Sequence, residues 1–175
     1  MKVGFIGLGI MGTPMAEKLI AGGHQLYANT LSQVPASLLD QGAIPCVTPK
    51  QVVDQAEIIF IMVPDTPQVE EVLFGPNGCA EGQLKGKVLV DMSSIAPLET
   101  KAFAQRVNTL GASYLDAPVS GGEVGAQQGT LTIMVGGDEA TFERVKPLLM
   151  LMGKNITLVG GNGDGPYGIQ KISTF

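Results

Sequence analysis

The sequence predicts an α/β fold: a doubly wound, mostly parallel sheet with helices on both faces. Three observations carry that expectation. Short apolar runs alternate with amphipathic stretches along the chain, at the spacing of strand–helix–strand crossovers. One run, Ile58-Ile59-Phe60-Ile61-Met62-Val63, is apolar without a break, as suits a strand covered on both faces. Glycine makes up 24 of 175 residues with no repeating period, which suggests many tight turns and close backbone approaches.

The elements follow in order. Residues 3–6 read as a buried strand. Residues 11–21 read as a helix, with Met15, Leu19 and Ile20 apolar, Glu17 and Lys18 polar, and Gly22-Gly23 as the stop. A second strand spans 25–28, and a short helix spans 34–40, closed by Gly42. Thr48-Pro49 opens another helix, with proline at its first position. Strand 58–63, helix 66–74, strand 88–91 and helix 97–110 continue the alternation. Strands at 114–116 and 131–135, a helix over 138–150 and a strand over 156–159 complete it. Residues 1–160 therefore form one expected domain. The run Gly160-Gly161-Asn162-Gly163-Asp164-Gly165 marks its boundary.

Composition excludes several functions. Eleven basic against 16 acidic residues give a net charge of −5, which argues against a general nucleic-acid binder. There is no Trp and only 5% aromatic residues, too few for a base-stacking platform. Cys46, Cys79 and the lone His24 lack metal-ligand spacing, so no metal site is expected. No apolar stretch approaches the roughly 20 residues of a membrane helix. The glycine-studded start lacks a signal-peptide cleavage pattern. A cytoplasmic protein without membrane or nucleic-acid partners is the expectation.

Four motifs sit where strands end. Gly7-Leu8-Gly9-Ile10-Met11-Gly12 follows an apolar strand and opens a helix, the context that gives this pattern meaning as a dinucleotide fingerprint. Gly7 serves the tight turn, Gly9 the approach of a pyrophosphate, and Gly12 the packing of helix on strand. The helix N-terminus offers N–H groups and partial positive charge to phosphates. After the second strand come Asn29-Thr30-Leu31-Ser32. None carries the acid that favours NAD or the arginine that favours NADP, so both cofactors stay open. In Met62-Val63-Pro64-Asp65-Thr66-Pro67, Asp65 or Thr66 also suits a helix cap. In Asp91-Met92-Ser93-Ser94, the serines suit either a cap for the helix at Pro97 or a ligand. Asp116-Ala117-Pro118-Val119-Ser120-Gly121-Gly122 sets a hydroxyl beside consecutive N–H groups, a receptor for a small carboxylate.

Three of these runs, residues 4–12, 91–94 and 116–122, together resemble the β-hydroxyacid dehydrogenase family, the 3-hydroxyisobutyrate dehydrogenase-like proteins. The resemblance spans residues 1 to about 165. It implies a Rossmann-type NAD(P)-binding domain. Gly7, Gly9, Ile10, Met11 and Gly12 would hold the pyrophosphate, Val63 and Pro64 would line the crevice, and Ser93 would lie by the nicotinamide. Asn29 or Thr30 would meet a ribose hydroxyl. Ser120, Gly121 and Gly122 would take the carboxylate of a small substrate. The implied reaction passes hydride between NAD(P)H and a small 3-oxo acid, with a lysine protonating the new alkoxide.

The family's pattern G-x-G-x-G-x-x-x-K-x-x-N breaks here. Gly161, Gly163 and Gly165 fit it, but Ile169 occupies the lysine position and Ile172 the asparagine position. Lys171 lies two residues on, about 200° around a helix, and would face elsewhere. Pro166-Tyr167-Gly168 reads poorly as a helix opening. Residues 161–175 are therefore expected to be a boundary and a remnant or frame-shifted tail, with the family's helical C-terminal domain missing. The catalytic residue stays unassigned. A reductase and a non-catalytic dinucleotide-binding fragment are both carried forward, with self-association through the surface such a missing domain would leave.

Overall fold

The computed structural model describes residues 1–173, with side chains through Lys171. The side chain of Ile172 and the end of the expected 161–175 tail lie outside the described residues. The strands are β1 (Lys2–Ile6), β2 (Gln25–Asn29), β3 (Ile44–Pro45), β4 (Ile58–Ile61), β5 (Val88–Asp91), β6 (Ser113–Asp116), β7 (Val119–Ser120), β8 (Leu131–Gly136) and β9 (Gly153–Gly160). The helices are α1 (Gly12–Ala21), α2 (Ala36–Asp40), α3 (Pro49–Gln55), α4 (Thr66–Phe74), α5 (Pro97–Thr109), α6 (Gly122–Gln128), α7 (Glu139–Met152) and α8 (Asp164–Ser173).

The strands form one sheet. Its first six stand in the order β3-β2-β1-β4-β5-β6, all parallel. β8 runs antiparallel to both β6 and β7, and β9 pairs parallel with β8. Alternation along β4 shows why its run is wholly apolar. Ile58 and Phe60 enter one core with Met15, Leu19, Val145 and Leu149. Ile59 and Ile61 enter the other with Val52, Val69, Leu73 and Phe103. Phe5 and Phe60, partners in register, stack at 6.1 Å between ring centroids. Each fully buried aliphatic or aromatic side chain contributes about 1.5–3 kcal/mol. Cys46 and Cys79 are buried and free within this core.

The register aligns the motifs. Asn29, Ile6, Ile61, Asp91, Asp116 and Gly136 are successive partners across the sheet. The loops that follow the first five therefore leave one edge side by side, the crevice edge of an open parallel sheet. β7 and the start of β8 continue beyond that row as a wall.

Several elements differ from expectation. The helix expected at 34–40 begins at Ala36, because Pro35 is extended (ψ 140°) and serves as its N-cap. The expected strand 58–63 stops at Ile61, where only the Met62 N–H continues the ladder, to Ile6 O at 2.9 Å. α6 was not visible in the glycine-rich run that contains it. The poor helix opening expected at Pro166-Tyr167-Gly168 is corrected: these residues are helical, within α8. Pro166 falls in the first turn, where its missing N–H costs no helix bond. A buried carboxylate accepts from the neighbouring glycine amides, and this tertiary cap outweighs weak local propensity.

Candidate functional site

The loop from β1 to α1 divides its three glycines by role. Gly7 has φ +100°, and its N–H donates to Asn29 O at 2.9 Å. A Cβ there would collide with the Met62 carbonyl oxygen, and one on Gly12 with the Gly7 carbonyl oxygen. A Cβ on Gly9 would meet nothing within 4 Å. Gly7 and Gly12 are thus closed by the protein itself, while Gly9 faces open space beside the helix start. No side chain caps α1, and its first turn holds no acid. The Thr13 N–H donates to Gly9 O at 3.0 Å, and a helix start with no side-chain cap beside a bare glycine is a fitting cradle for a pyrophosphate. Ile10 is exposed at the tip and Met11 packs partly inward.

The end of β2 is tied to this loop. Leu8 N–H donates to Thr30 Oγ1 at 3.4 Å. Asn29 is buried, and its Nδ2 donates to Cys46 O at 3.0 Å, which turns that side chain toward β3. Leu31 is fully exposed at the rim.

On the other side of β1, Val63 N–H donates to Ser93 Oγ at 3.0 Å, joining the loops after β4 and β5. Pro64 is exposed beside Val63. Asp65 caps α4 by accepting from Thr66 N–H at 2.7 Å. Ser93 caps nothing. Its own N–H donates to Asp91 Oδ1 at 3.0 Å, and α5 begins with no side-chain cap. Asp91 also accepts from the Tyr114 hydroxyl at 3.0 Å. Burial pushes the Asp91 carboxyl up to about 6, against the lowering effect of those hydrogen bonds, with Asp116 adding repulsion.

Hydrogen bonds thus tie Gly7 to Asn29, Leu8 to Thr30 and Val63 to Ser93, and a Cβ on Gly7 would also lie 3.0 Å from Val63 Cγ1. Ser120, Gly121 and Gly122 lie on β7 and at the start of α6, in the part of the sheet edge beyond β6. Ser120 pairs with Thr132 on β8, and Gly122 opens α6, which packs on α1. α8 packs against β7 as well. Ile169 of α8 is buried and lines a cavity of about 280 Å³ with Asp65, Thr66, Ser94, Ile95, Ala96, Pro166 and Gln170. Lys171 is exposed, its Nζ 4.7 Å from the Tyr167 ring centroid. The two positions thus face different ways, as their spacing requires.

The two acids that end β5 and β6 belong to this edge although no motif singles them out. The signal was present: Val88-Leu89-Val90-Asp91 and Tyr114-Leu115-Asp116 each close an apolar strand with a residue that strands disfavour. Among the described residues no cluster of acids, histidines and cysteines is arranged to hold a metal, and no helix is long and apolar enough to cross a membrane.

The strand order, the glycine turn and the uncapped α1 define a dinucleotide-binding domain. Comparison with known proteins agrees. The chain belongs to the family described as the NAD binding domain of 6-phosphogluconate dehydrogenase, whose model matches residues 2–161. It is 69% identical over 165 residues to the 2-hydroxy-3-oxopropionate reductase of Escherichia coli strain K12, covering 94% of this chain and 56% of that protein. A solved Mycobacterium tuberculosis 3-hydroxyisobutyrate dehydrogenase with L-serine superimposes with a TM-score of 0.90 at 30% identity, over 99% of this chain and 58% of the other. Psf3 in complex with NADP+ and 2-OPP gives 0.91 at 29% identity, over 98% and 61%. The chain thus spans little more than half the length of these relatives.

Proposed function

We propose that this chain is the dinucleotide-binding part of an NAD(P)H-dependent reductase of a small 3-oxo acid. The substrate proposed is 2-hydroxy-3-oxopropanoate (tartronate semialdehyde), reduced to glycerate in glyoxylate metabolism. The observation that carries the cofactor half is the open space at Gly9 beside an uncapped helix. High identity to a reductase of that substrate supports the other half.

When bound, the dinucleotide supplies the hydride. The chain's own groups do the rest. Gly9, Ile10 and Met11 would hold the pyrophosphate over a turn that Gly7 and Gly12 shape, and Thr30 and Asn29 would border the ribose. Val63 and Pro64 line the crevice, and Ser93 presents its hydroxyl from a buried, doubly hydrogen-bonded position. Ser120, Gly121 and Gly122 receive the substrate carboxylate. Ile169 faces the cavity beside Ser94 and donates no proton.

That last observation favours a second reading of this chain, a dinucleotide binder with little turnover. A 3-hydroxyisobutyrate dehydrogenase-type substrate is the other alternative. Self-association through exposed apolar groups such as Val124 and Tyr167 belongs to the proposal, with sedimentation velocity as its check.

Calorimetric titration with NADH and a steady-state assay of NADH oxidation test it together. Binding is expected. Turnover with 2-hydroxy-3-oxopropanoate is expected to fall about 10²–10⁴-fold below an enzyme with a general acid. Absence of binding overturns the proposal. Turnover of roughly 1–10³ s⁻¹ overturns the role given to Ile169.

A further inference from the structure

We infer that Asp116 is a positioning residue: its carboxylate pins the start of α8 to the sheet edge and so sets the cleft wall that faces the nicotinamide half of a bound dinucleotide. The inference rests on the reductase reading above.

Asp116 ends β6, in register with Asp91, and is 2% exposed. Its Oδ2 accepts from Gly165 N–H at 2.9 Å and from Gly163 N–H at 3.1 Å. Its Oδ1 accepts from Gly163 N–H and from Asn162 Nδ2, both at 3.1 Å. Asn162 Nδ2 also donates to Tyr114 O at 2.8 Å, and reaches Gly136 O at 3.4 Å. The fit is close on every side. A Cβ on Gly165 would lie 2.7 Å from Asp116 Oδ2 and 2.8 Å from the carbonyl oxygens of Asp116 and Met134. A Cβ on Gly136 would collide with the same carboxylate.

The amides of Gly163 and Gly165 flank the first residue of α8, so the carboxylate meets the positive end of that helix from a neighbouring strand. α8 then packs against β8, β9 and α5 and lays Ile169 on the cavity shared with Ser94 and Ile95. In a doubly wound sheet the half that includes β5 and β6 takes the second mononucleotide. Asp91, the register partner, holds Ser93 through its N–H. Two adjacent carboxylates therefore hold two walls of one half-site: Asp91 the serine loop, Asp116 the helix. Among the described residues no carboxylate holds the loops of the β1 and β2 half-site in this way.

The test uses the 175-residue chain, with NADH and ADP as probes and amide hydrogen exchange as a third readout. Asp116→Asn keeps the shape but replaces one acceptor oxygen with a donor group. NADH is expected to bind about fivefold more weakly, with ADP within about twofold of the unsubstituted chain. Exchange is expected to quicken across 163–171 and to stay unchanged in β1 and α1. The fluorescence of bound NADH is expected to move toward that of free NADH. Equal weakening of both nucleotides, or unchanged exchange in α8, overturns the inference. Should Asp116→Asn fail to fold, Gly165→Ala displaces α8 from an intact carboxylate, and the same pattern is expected. If the unsubstituted chain binds neither nucleotide, the reductase reading fails. Exchange in α8 then still decides whether Asp116 holds the helix.

Discussion

Two glycine-rich turns in this molecule look alike in sequence and have opposite endings. Each follows a strand and opens a helix: residues 7–12 lead from β1 to α1, and residues 161–165 lead from β9 to α8. At α1 no side chain caps the helix and no acid stands in its first turn. At α8 the buried carboxylate of Asp116 already accepts from Gly163 and Gly165. One helix N-terminus is left for an anion from outside, and the other is filled by an anion from inside. A glycine pattern therefore predicts close backbone approach. The nearest buried acid decides what approaches.

The contrast breaks most sharply at Gly9. Gly9→Val places a branched side chain in the open space where a pyrophosphate would lie. NADH affinity is expected to fall about tenfold to a hundredfold, the penalty of an overpacked contact. Stability is expected to change by no more than about 0.5 kcal/mol, because a Cβ added there meets no protein atom within 4 Å. Calorimetric titration and thermal unfolding of the two proteins check both halves. Unchanged affinity would mean that all three glycines serve the turn alone, and the two loops would no longer differ in kind.

The first loop was legible in sequence because its meaning is local. A strand, a spacing and a helix lie within residues 3–21, and the register then places Val63 and Ser93 beside them. The second loop was not legible, because its partner is Asp116, almost fifty residues earlier. Local propensity at Pro166-Tyr167-Gly168 argues against a helix, and no nearby residue reveals the carboxylate that favours one. Ser93 shows the same limit. Its spacing suited either a cap for α5 or a ligand, and it does not cap: its N–H turns back to Asp91 and its hydroxyl accepts from Val63 N–H. The outward face of position 171 was legible, since helix rotation is local once a helix exists. The shape of α6 was hidden by glycines that also suit a turn.

The internal acids offer a smaller effect with a defined sign. Asp91 has its folded-state pKa raised by burial from 3.8 to about 6. The folded state therefore binds this proton more tightly than the unfolded chain. Its stabilising contribution is fully present below about pH 4 and is lost as pH rises through about 6. Asp116 is raised by burial as well and contributes with the same sign. Asp91→Asn removes the buried charge while Oδ1 keeps the Ser93 N–H and the Tyr114 hydroxyl turns to accept. The variant is expected to be more stable than the parent at pH 7.5 by up to about 3 kcal/mol, with the gap closing toward pH 4. Urea unfolding at both pH values measures it. A loss of stability at pH 7.5 would mean that the carboxylate's two hydrogen bonds outweigh its desolvation.

The smallest expected effect concerns the rim of the open loop, where the ribose of the adenosine half would sit. No charged residue occurs from Gln25 through Leu39. A 2′-phosphate there would meet neither a repelling carboxylate nor a neutralising guanidinium. Asn29 has its amide committed to Cys46 O, and Thr30 Oγ1 accepts from Leu8 N–H, so neither is free to change its role without moving the loop. NADH and NADPH are therefore expected to bind within about tenfold of each other, a gap of about 1.4 kcal/mol. Leu31 is fully exposed beside this rim. Leu31→Arg supplies the missing cation and is expected to shift the ratio toward NADPH by a factor of several, with NADH affinity nearly unchanged. Parallel titrations at one ionic strength measure the ratio, since the added attraction is screened by salt. A strong preference in the unsubstituted chain would place another charged group at the ribose and overturn the reading of this rim.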